Sequence, residues 1–241
     1  MAWQLTEADI LHEDNHLLVV NKPVGLATMG ASTSEVTVAR AAADFLIAKY
    51  DKPGKAFVGV VSRLDSMVSG VLVLAKTSKA ASRLSDQIRR RLPTKEYLAW
   101  VDGDARTVAG IGEPPHSVED LLMKNEQKMR MEVVTAGPQS KTQLAQLELE
   151  TLVVRDRRSL VRVRLITGRK HQIRVQLAHL GLSIVGDRKY GNTSKFGGKG
   201  EQGIALHCRL TKIQHPTLKK EMTFVASPPK SWGRFGPLAA P

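Results

Sequence analysis

Two apolar runs in the first third of the chain constrain its fold more than any other feature. Residues 56–61 (AFVGVV) and 70–75 (GVLVLA) carry no charge and are rich in aliphatic residues, which is typical of strands buried in a sheet. The segment SRLDSMVS between them is therefore predicted to form a connecting turn at a sheet end. Asp65 lies in this turn, where two buried strands would hold its carboxylate rigidly, as catalytic groups often are. An isolated aspartate in a turn more commonly caps or solvates the loop.

The rest of the chain alternates between strand and helix patterns and leaves the sheet topology open. An apolar strand from residue 16 runs into a turn set by Pro23 and Gly25. Residues 104–117 and 192–203 have no periodicity and are predicted to be irregular. The other predicted strands are 96–101, 142–154, 160–167 and 204–213, and the predicted helices are 37–50, 77–91 and 171–181.

The charge balance points to an anionic partner. Lys and Arg number 36 against 23 Asp and Glu, which gives a formal net charge of +13 and a sequence pI near 10.0. Nucleic acid is the leading candidate, although an unspecialised basic protein would show the same totals. Cys208 is the single cysteine, so an intramolecular disulfide and a cysteine metal cluster are both excluded. No signal peptide or membrane span is evident, and we expect a cytoplasmic protein without membrane association.

Basic residues cluster in the second half of the chain. Arg162 and Arg164 alternate with Val161, Val163 and Leu165 along a predicted strand, so the two arginines share the face opposite the apolar residues. Arg169, Lys170 and His171 lie at the start of the predicted helix 171–181 and would present donors and a positive dipole to phosphate. The alternative is a solvated helix end, but the neighbouring arginines favour a continuous basic strip.

Five segments together resemble the RluA-type RNA pseudouridine synthases, and they occur in the family's order over about residues 12–226. The sequence SRLDSMVSGVLVLAKT resembles the family's aspartate motif. The other four are VVNKPVGL (19–26), TKEYLAWV (94–101), TGRKHQIRVQLAHLGLSIVGDRKYG (167–191) and IALHC (204–208) followed by His-Pro. Agreement in order is far more specific than any one motif.

The resemblance implies roles for four residues. Asp65 would be the catalytic carboxylate, acting either as nucleophile or as base while the glycosidic bond of a uridine breaks. Arg174 would pair with Asp65 and keep it ionised. Tyr97 would stack on the target base and assist proton transfer, and Leu206 would pack beneath that base.

The target base must leave its stack to be reached, because the ribose C1′ cannot be attacked inside a helix. Arg63 is a candidate to fill the gap, since a planar guanidinium stacks on bases and contacts phosphate. The equally weighted alternative is a structural ion pair of Arg63 with Asp65 or another acid.

The family resemblance implies an α+β fold, with a mixed, largely antiparallel β-sheet and flanking helices. We expect residues 1–241 to form one catalytic domain with its core at about 12–226, a C-terminal tail at 227–241 and no S4 domain. The predicted protein is a monomeric RNA-modifying isomerase that acts on structured ribosomal or transfer RNA. The isomerisation is redox neutral and needs neither cofactor nor metal, and no nucleotide-binding loop or metal-ligand spacing is present in the sequence.

Three positions depart from the family pattern. Ser62 and Gln176 stand where histidine is usual, and Val68 stands where threonine is usual. Val68 removes a hydroxyl that could brace the Asp65 turn. A non-catalytic RNA-binding or folding protein on the same scaffold therefore remains an alternative. A hydrolase that releases the base is another, because the same carboxylate could support that reaction.

Overall fold

The computed structural model describes residues 3–30, 36–108, 115–135, 137, 141–194, 196, 203–230 and 232. Within these residues the chain forms eleven strands and three α-helices. In chain order they are β1 Ile10–Glu13, β2 Leu17–Lys22, α1 Val38–Lys49, β3 Gly59–Val60, β4 Ser69–Ala75, α2 Ser78–Arg89, β5 Thr94–Asp102, β6 His116–Asn125, β7 Arg130–Val133, β8 Gln143–Arg155, β9 Arg158–Leu165, α3 Gln172–His179, β10 Leu206–Gln214 and β11 Glu221–Val225. None of the described helices is long and apolar enough to cross a membrane.

The first two helices begin where the sequence predicts. Thr37 precedes α1 and its hydroxyl accepts a hydrogen bond from the backbone N–H of Arg40. Thr77 precedes α2 and its hydroxyl accepts from the N–H of Ala80. Both threonines have extended backbone angles, as N-cap residues do, and each satisfies one of the unpaired donors of the first turn.

The described residues group into two compact units, and the first consists of Met1–Thr94 and Cys208–Pro229. Its sheet has the order β1-β2-β4-β10-β11, and β3 pairs with β4. Strand β4 is buried along its whole length. The strand predicted at 56–61 is reduced to Gly59–Val60, and Phe57 is 49% exposed, so this apolar run is not buried throughout.

Gly70 at the start of β4 allows β10 to approach closely. Its φ is +115°, and a Cβ at this position would overlap the backbone of Cys208. The lack of a side chain at Gly70 therefore sets the spacing of the sheet directly after the Asp65 turn.

The second unit consists of Lys95–His207 and Lys230–Pro241, and its sheet has the order β5-β9-β8-β6-β7 with every neighbouring pair antiparallel. The predicted hairpin of β8 and β9 is confirmed, and Asp156 and Arg157 close it with φ of +52° and +58°, as a two-residue turn of this type requires. Strand β6 begins at His116, inside the segment 104–117 that the sequence predicts to be irregular. Most residues of β6 are partly exposed and several are charged, so its apolar signal is weak.

Helix α3 packs against β6 and β7 and is buried from Gln172 to Leu177. It ends before Gly181, which has a φ of +78° as predicted for a C-terminal cap.

In the predicted loose tail at 227–241, Trp232 is 1% exposed. Its ring centroid lies 6.1 Å from that of His207 and 6.3 Å from that of Phe196, so the described end of the tail is packed. Residues 231 and 233–241 lie outside the described residues.

Candidate active site

Asp65 lies in the turn between β3 and β4, as the sequence predicts, and is partly buried. Its Oδ1 accepts a hydrogen bond from the N–H of Met67 at 3.1 Å and lies 3.4 Å from the hydroxyl of Ser66. The backbone carbonyl of Asp65 accepts from the N–H of Val68 at 3.0 Å. The carboxylate is thus oriented by its own turn, and hydrogen bonds of this kind favour the ionised form.

The segment that follows β2 supports this turn from a distance in sequence. The hydroxyl of Thr28 donates to the carbonyl of Leu64 at 2.8 Å and accepts from the N–H of the same residue at 3.1 Å. The N–H of Gly25 donates to the carbonyl of Ser66 at 2.7 Å. Thr28 therefore supplies a hydroxyl brace to the turn in which Val68 lacks one, and both residues are buried.

Lys22, the last residue of β2, is fully buried beside the turn. Its ammonium donates to the carbonyls of Pro23 and Leu26, both at 2.7 Å, and lies 3.3 Å from the carbonyl of Ser66. Burial lowers the pKa of Lys22 to about 7, and the negative charge of Asp65 opposes part of this decrease. Lys22 and Thr28 were not among the site residues predicted from the sequence. The signal that could have indicated them is a lysine and a threonine on either side of a Pro-Gly turn that follows an apolar strand.

Arg174 projects from α3, and its side chain is 6% exposed. Its Nε and Nη2 donate to the two carboxylate oxygens of Asp187, both at 2.7 Å. The guanidinium carbon lies 5.1 Å from the ring centroid of Tyr190. Tyr190 in turn accepts from the N–H of Met131 at 3.1 Å, and its hydroxyl lies 2.9 Å from Nδ1 of His171. Asp187 and Tyr190 were not among the predicted site residues, although both belong to the segment 167–191 that resembles the family.

Tyr97 and Leu206 are both buried, at 5% and 3% exposure. Tyr97 lies on β5 opposite Val163 of β9, and Leu206 is the first residue of β10. The stacking of Tyr97 on the target base and the packing of Leu206 beneath that base remain predictions.

The predicted RNA contacts differ in their surroundings. Arg63 is exposed, and both its part in RNA binding and the alternative of a structural ion pair stay predictions. Arg162 and Arg164 share one face of β9 as predicted, but each forms an ion pair with the glutamate opposite on β8. The pairs are Arg162 with Glu150 at 3.1 Å and Arg164 with Glu148 at 3.3 Å. This face therefore carries less positive charge than the arginines alone suggest.

The three residues before α3 differ in their exposure and in their hydrogen bonds. Lys170 is exposed, and Arg169 donates from Nε to the carbonyl of Leu144 at 2.9 Å. His171 has a φ of +53° and precedes the helix without a capping bond from its side chain. Lys170 is thus the residue of this group with its charge directed to solvent, and phosphate binding by the three stays a prediction.

Gln176, one of the three departures, is fully buried on α3. Its amide nitrogen donates to Oδ2 of Asp120 at 2.8 Å and to the carbonyl of Ala145 at 3.3 Å. The departure from the family pattern at residue 176 therefore lies where α3 packs against the sheet. Among the described residues there is no group of three or more His, Cys, Asp or Glu that could hold a metal ion.

Comparison with known proteins identifies consistent relatives. A family model described as RNA pseudouridylate synthase matches residues 16–179. The chain is 35% identical over 239 residues to ribosomal large subunit pseudouridine synthase D of Xylella fastidiosa, and the match covers 92% of this chain and 66% of that protein. It is 30% identical over 225 residues to ribosomal large subunit pseudouridine synthase C of Haemophilus ducreyi, with the same two coverages. The chain thus spans just under two thirds of the length of these curated relatives.

The solved structure of human RNA pseudouridylate synthase domain containing 4 is also similar. The two chains superpose with a TM-score of 0.73 at 25% sequence identity, over 96% of this chain and 91% of the human one. The predicted α+β fold, with a largely antiparallel sheet and flanking helices, is confirmed by this similarity and by the strand pairing of each unit.

Proposed function

This chain belongs to the RluA-type RNA pseudouridylate synthase family, and from that premise we propose that it isomerises specific uridines in structured RNA to pseudouridine. Ribosomal or transfer RNA is the proposed substrate class. The relatives named as ribosomal large subunit pseudouridine synthases support the first of these.

The observation that carries the proposal is the support of the Asp65 turn. A partly buried carboxylate is oriented by the N–H of Met67, and Thr28 and Gly25 hold the neighbouring backbone through three hydrogen bonds. A surface aspartate that merely solvates a loop needs no such support. Rigid presentation of one carboxylate is what a reaction at a single ribose carbon requires.

The proposed chemistry is balanced without an external reactant. The bond between N1 of uracil and C1′ of ribose breaks, the base turns and a bond between C5 and C1′ forms. The proton that C5 loses to solvent is matched by one that N1 takes up. Asp65 serves as the catalytic carboxylate, either as nucleophile or as base. Arg174 keeps it ionised, Tyr97 stacks on the base and assists removal of the C5 proton, and Leu206 packs beneath the ring.

RNA binding follows from the exposed cations. We propose that Arg63 occupies the gap left by the everted base, because its guanidinium is exposed and a planar cation stacks on bases. Lys170 and Arg169 would contact phosphate in the sequence-independent manner of surface cations. We assign Arg162 and Arg164 a smaller share, since each faces a glutamate.

Release of tritium from RNA tests the function. Large-subunit ribosomal RNA and transfer RNA transcripts that carry uridine tritiated at C5 should release label when incubated with the wild-type chain. Asp65→Asn should abolish release without lowering the thermal unfolding midpoint. Asp44→Asn is the matched control, since Asp44 is an exposed carboxylate of the same unit, and it should release label at the wild-type rate.

Each contrary outcome has a distinct meaning. An Asp65→Asn variant as active as the wild type would contradict the proposed mechanism. RNA binding with no isomerised uridine would instead support a non-catalytic RNA-binding protein, and free uracil among the products would indicate a hydrolase.

A further inference from the structure

Arg174 is held on two sides by residues that the proposed chemistry does not use. Asp187 binds one edge of the guanidinium through Nε and Nη2, both at 2.7 Å. The ring of Tyr190 lies under its face at 5.1 Å. A guanidinium has five N–H donors in a fixed plane, so the fork to Asp187 uses two of them and determines the direction of the others.

Asp187 is itself positioned by the backbone around it. Its N–H donates to the carbonyl of Ile184 at 2.9 Å, and its carbonyl accepts from the N–H of Tyr190 at 3.1 Å and of Asn192 at 3.0 Å. Its side chain is 1% exposed. The carboxylate therefore cannot swing away to solvent, and its position is set by the turn that follows Ile184.

Tyr190 is fixed as firmly as Asp187. The residue is 8% exposed, and its hydroxyl accepts from the N–H of Met131 and lies 2.9 Å from Nδ1 of His171. The aromatic face below Arg174 is thus attached both to β7 and to the residue before α3. A cation over an aromatic face that is held in this way gains further stabilisation.

The charges in the proposed reaction explain why Arg174 benefits from a carboxylate other than that of Asp65. A buried cation is costly unless an anion accompanies it. In the proposed reaction Asp65 loses its negative charge, because it either forms an ester or takes up a proton. A guanidinium whose counter-ion was Asp65 alone would be uncompensated at that stage, whereas the charge of Asp187 persists through every step.

We propose that Asp187 is a positioning residue for the isomerisation: it is the constant counter-ion of Arg174 and keeps the guanidinium in place while Asp65 is neutral. This inference rests on the proposed function. Asp187 does not touch the substrate in this scheme and acts through Arg174.

Asp187→Asn tests the inference, because asparagine keeps the shape and one acceptor but removes the charge. We expect the single-turnover rate of tritium release from ribosomal RNA transcripts, measured with enzyme in excess, to fall about 10- to 100-fold, the range for a displaced catalytic group. The enzyme concentration that gives half the maximal rate should change less than about threefold, since RNA binding is left intact. The acid limb of the rate profile should move to lower pH, because in the proposed pairing of Arg174 with Asp65 the guanidinium no longer shares its charge with a second carboxylate and favours ionisation of Asp65 more strongly.

Asp102→Asn is the matched control in the same unit. Asp102 accepts from Arg158 at 2.9 Å, from the amide of Asn192 at 2.6 Å and from the hydroxyl of Ser194 at 3.1 Å. It is an ion-paired aspartate with a structural part to play. Its variant should lower the unfolding midpoint and leave the acid limb of the rate profile in place.

The outcomes separate the inference from the function on which it rests. A folded Asp187→Asn variant with the wild-type rate and pH profile would overturn the inference alone, as would a loss of rate that only follows the loss of folded protein. A wild-type chain that releases no tritium would overturn both. If Asp187→Asn does not fold, Asp187→Glu provides the test. Its longer side chain keeps the charge but displaces the guanidinium, so we expect a lower rate with the acid limb of the profile unchanged. An unchanged rate would contradict the inference.

Discussion

The two units hold their predicted catalytic residues by different kinds of bond. In the first unit, the turn around Asp65 receives support from neutral groups: the hydroxyl of Thr28 and the N–H groups of Gly25 and Met67. In the second unit, Arg174 is held by the full charge of Asp187 and by an aromatic face. The difference suits the two residues. A carboxylate that changes charge during a reaction is best held through its backbone, while a permanent cation is best held by a permanent anion.

Substitution of Gly70 should have the largest effect on the first unit. In Gly70→Ala the new Cβ would overlap the backbone of Cys208, whose nitrogen would lie only 2.7 Å away, at a φ of +115°. We expect a loss of more than about 4 kcal/mol in the free energy of unfolding, measured by urea denaturation. Gly54→Ala is the control, because Gly54 has a φ of +95° but no atom within 4 Å. Equal losses of stability in the two variants would show that residue 70 is glycine because of its backbone conformation, and not because β10 approaches the start of β4 closely.

Removal of the Thr28 hydroxyl tests whether neutral bonds support the Asp65 turn. Thr28→Val keeps the shape of the side chain but leaves the N–H and the carbonyl of Leu64 without this partner. We expect a loss of about 2–3 kcal/mol in the free energy of unfolding, together with slower tritium release at saturating RNA. Thr28→Ser retains the hydroxyl and should stay within about 1 kcal/mol of the wild type. A valine variant with unchanged rate would mean that the turn does not depend on this brace.

Local patterns in the sequence predicted the parts of this fold that depend on neighbours in the chain. The caps of α1 and α2, the hairpin of β8 and β9 and the turn that carries Asp65 all follow from residues within a few positions of each other. Strand β6 was missed because most of its residues are partly exposed and several are charged, so that its apolar signal is weak even though β7 follows it closely in the chain.

The supporting residues of the candidate site could not be predicted in the same way. Thr28 and Leu64 are 36 positions apart, Lys22 and Ser66 are 44 apart, and Arg174 and Asp187 are 13 apart. A polar residue that is buried because of a distant partner has the same local sequence as one that faces water. The family resemblance singles out the residues proposed to meet the substrate, and it took the fold to identify those that hold them.

Lys22 allows a further test of whether the Asp65 turn is held by neutral groups, because its ammonium adjoins that turn. Burial lowers the pKa of Lys22 to about 7, partly opposed by Asp65. An NMR titration of lysine labelled at Cε should therefore show one resonance that titrates near pH 7 and that is absent from Lys22→Met. Titration near the ordinary value of about 10.4 would make Lys22 a permanent cation, and the Asp65 turn would then be held by charge much as Arg174 is.

The same residue should make stability depend on pH in a defined direction. Because the pKa of Lys22 is lower in the folded chain, the folded chain binds fewer protons than the unfolded chain between about pH 7 and 10.4. The free energy of unfolding of the wild type should therefore rise with pH across this window relative to that of Lys22→Met. At pH 7, where three carbonyls lose their donor in the variant, we expect a loss of about 1–2 kcal/mol. A constant difference between the two proteins from pH 7 to 10 would contradict the assignment.

The smallest effect is expected for Glu13, a charged residue of the first unit that does not contact the Asp65 turn. Burial opposes its ionisation, but hydrogen bonds from Lys76, Lys49 and Tyr50 outweigh this and lower the pKa of Glu13 to about 2. Its contribution to stability is therefore present above about pH 4.5 and is lost as the pH falls toward 2. Glu13→Gln should cost on the order of 1 kcal/mol at pH 7, and its difference from the wild type should shrink in acid.

Glu7→Gln is the control for this variant, because Glu7 is 67% exposed and also pairs with Lys49; it should have no measurable effect. The rate of tritium release per folded molecule should be that of the wild type in both variants. A slower rate in Glu13→Gln would mean that charges elsewhere in the first unit do reach the Asp65 turn, and the contrast between neutral support for that turn and charged support for the guanidinium would no longer hold.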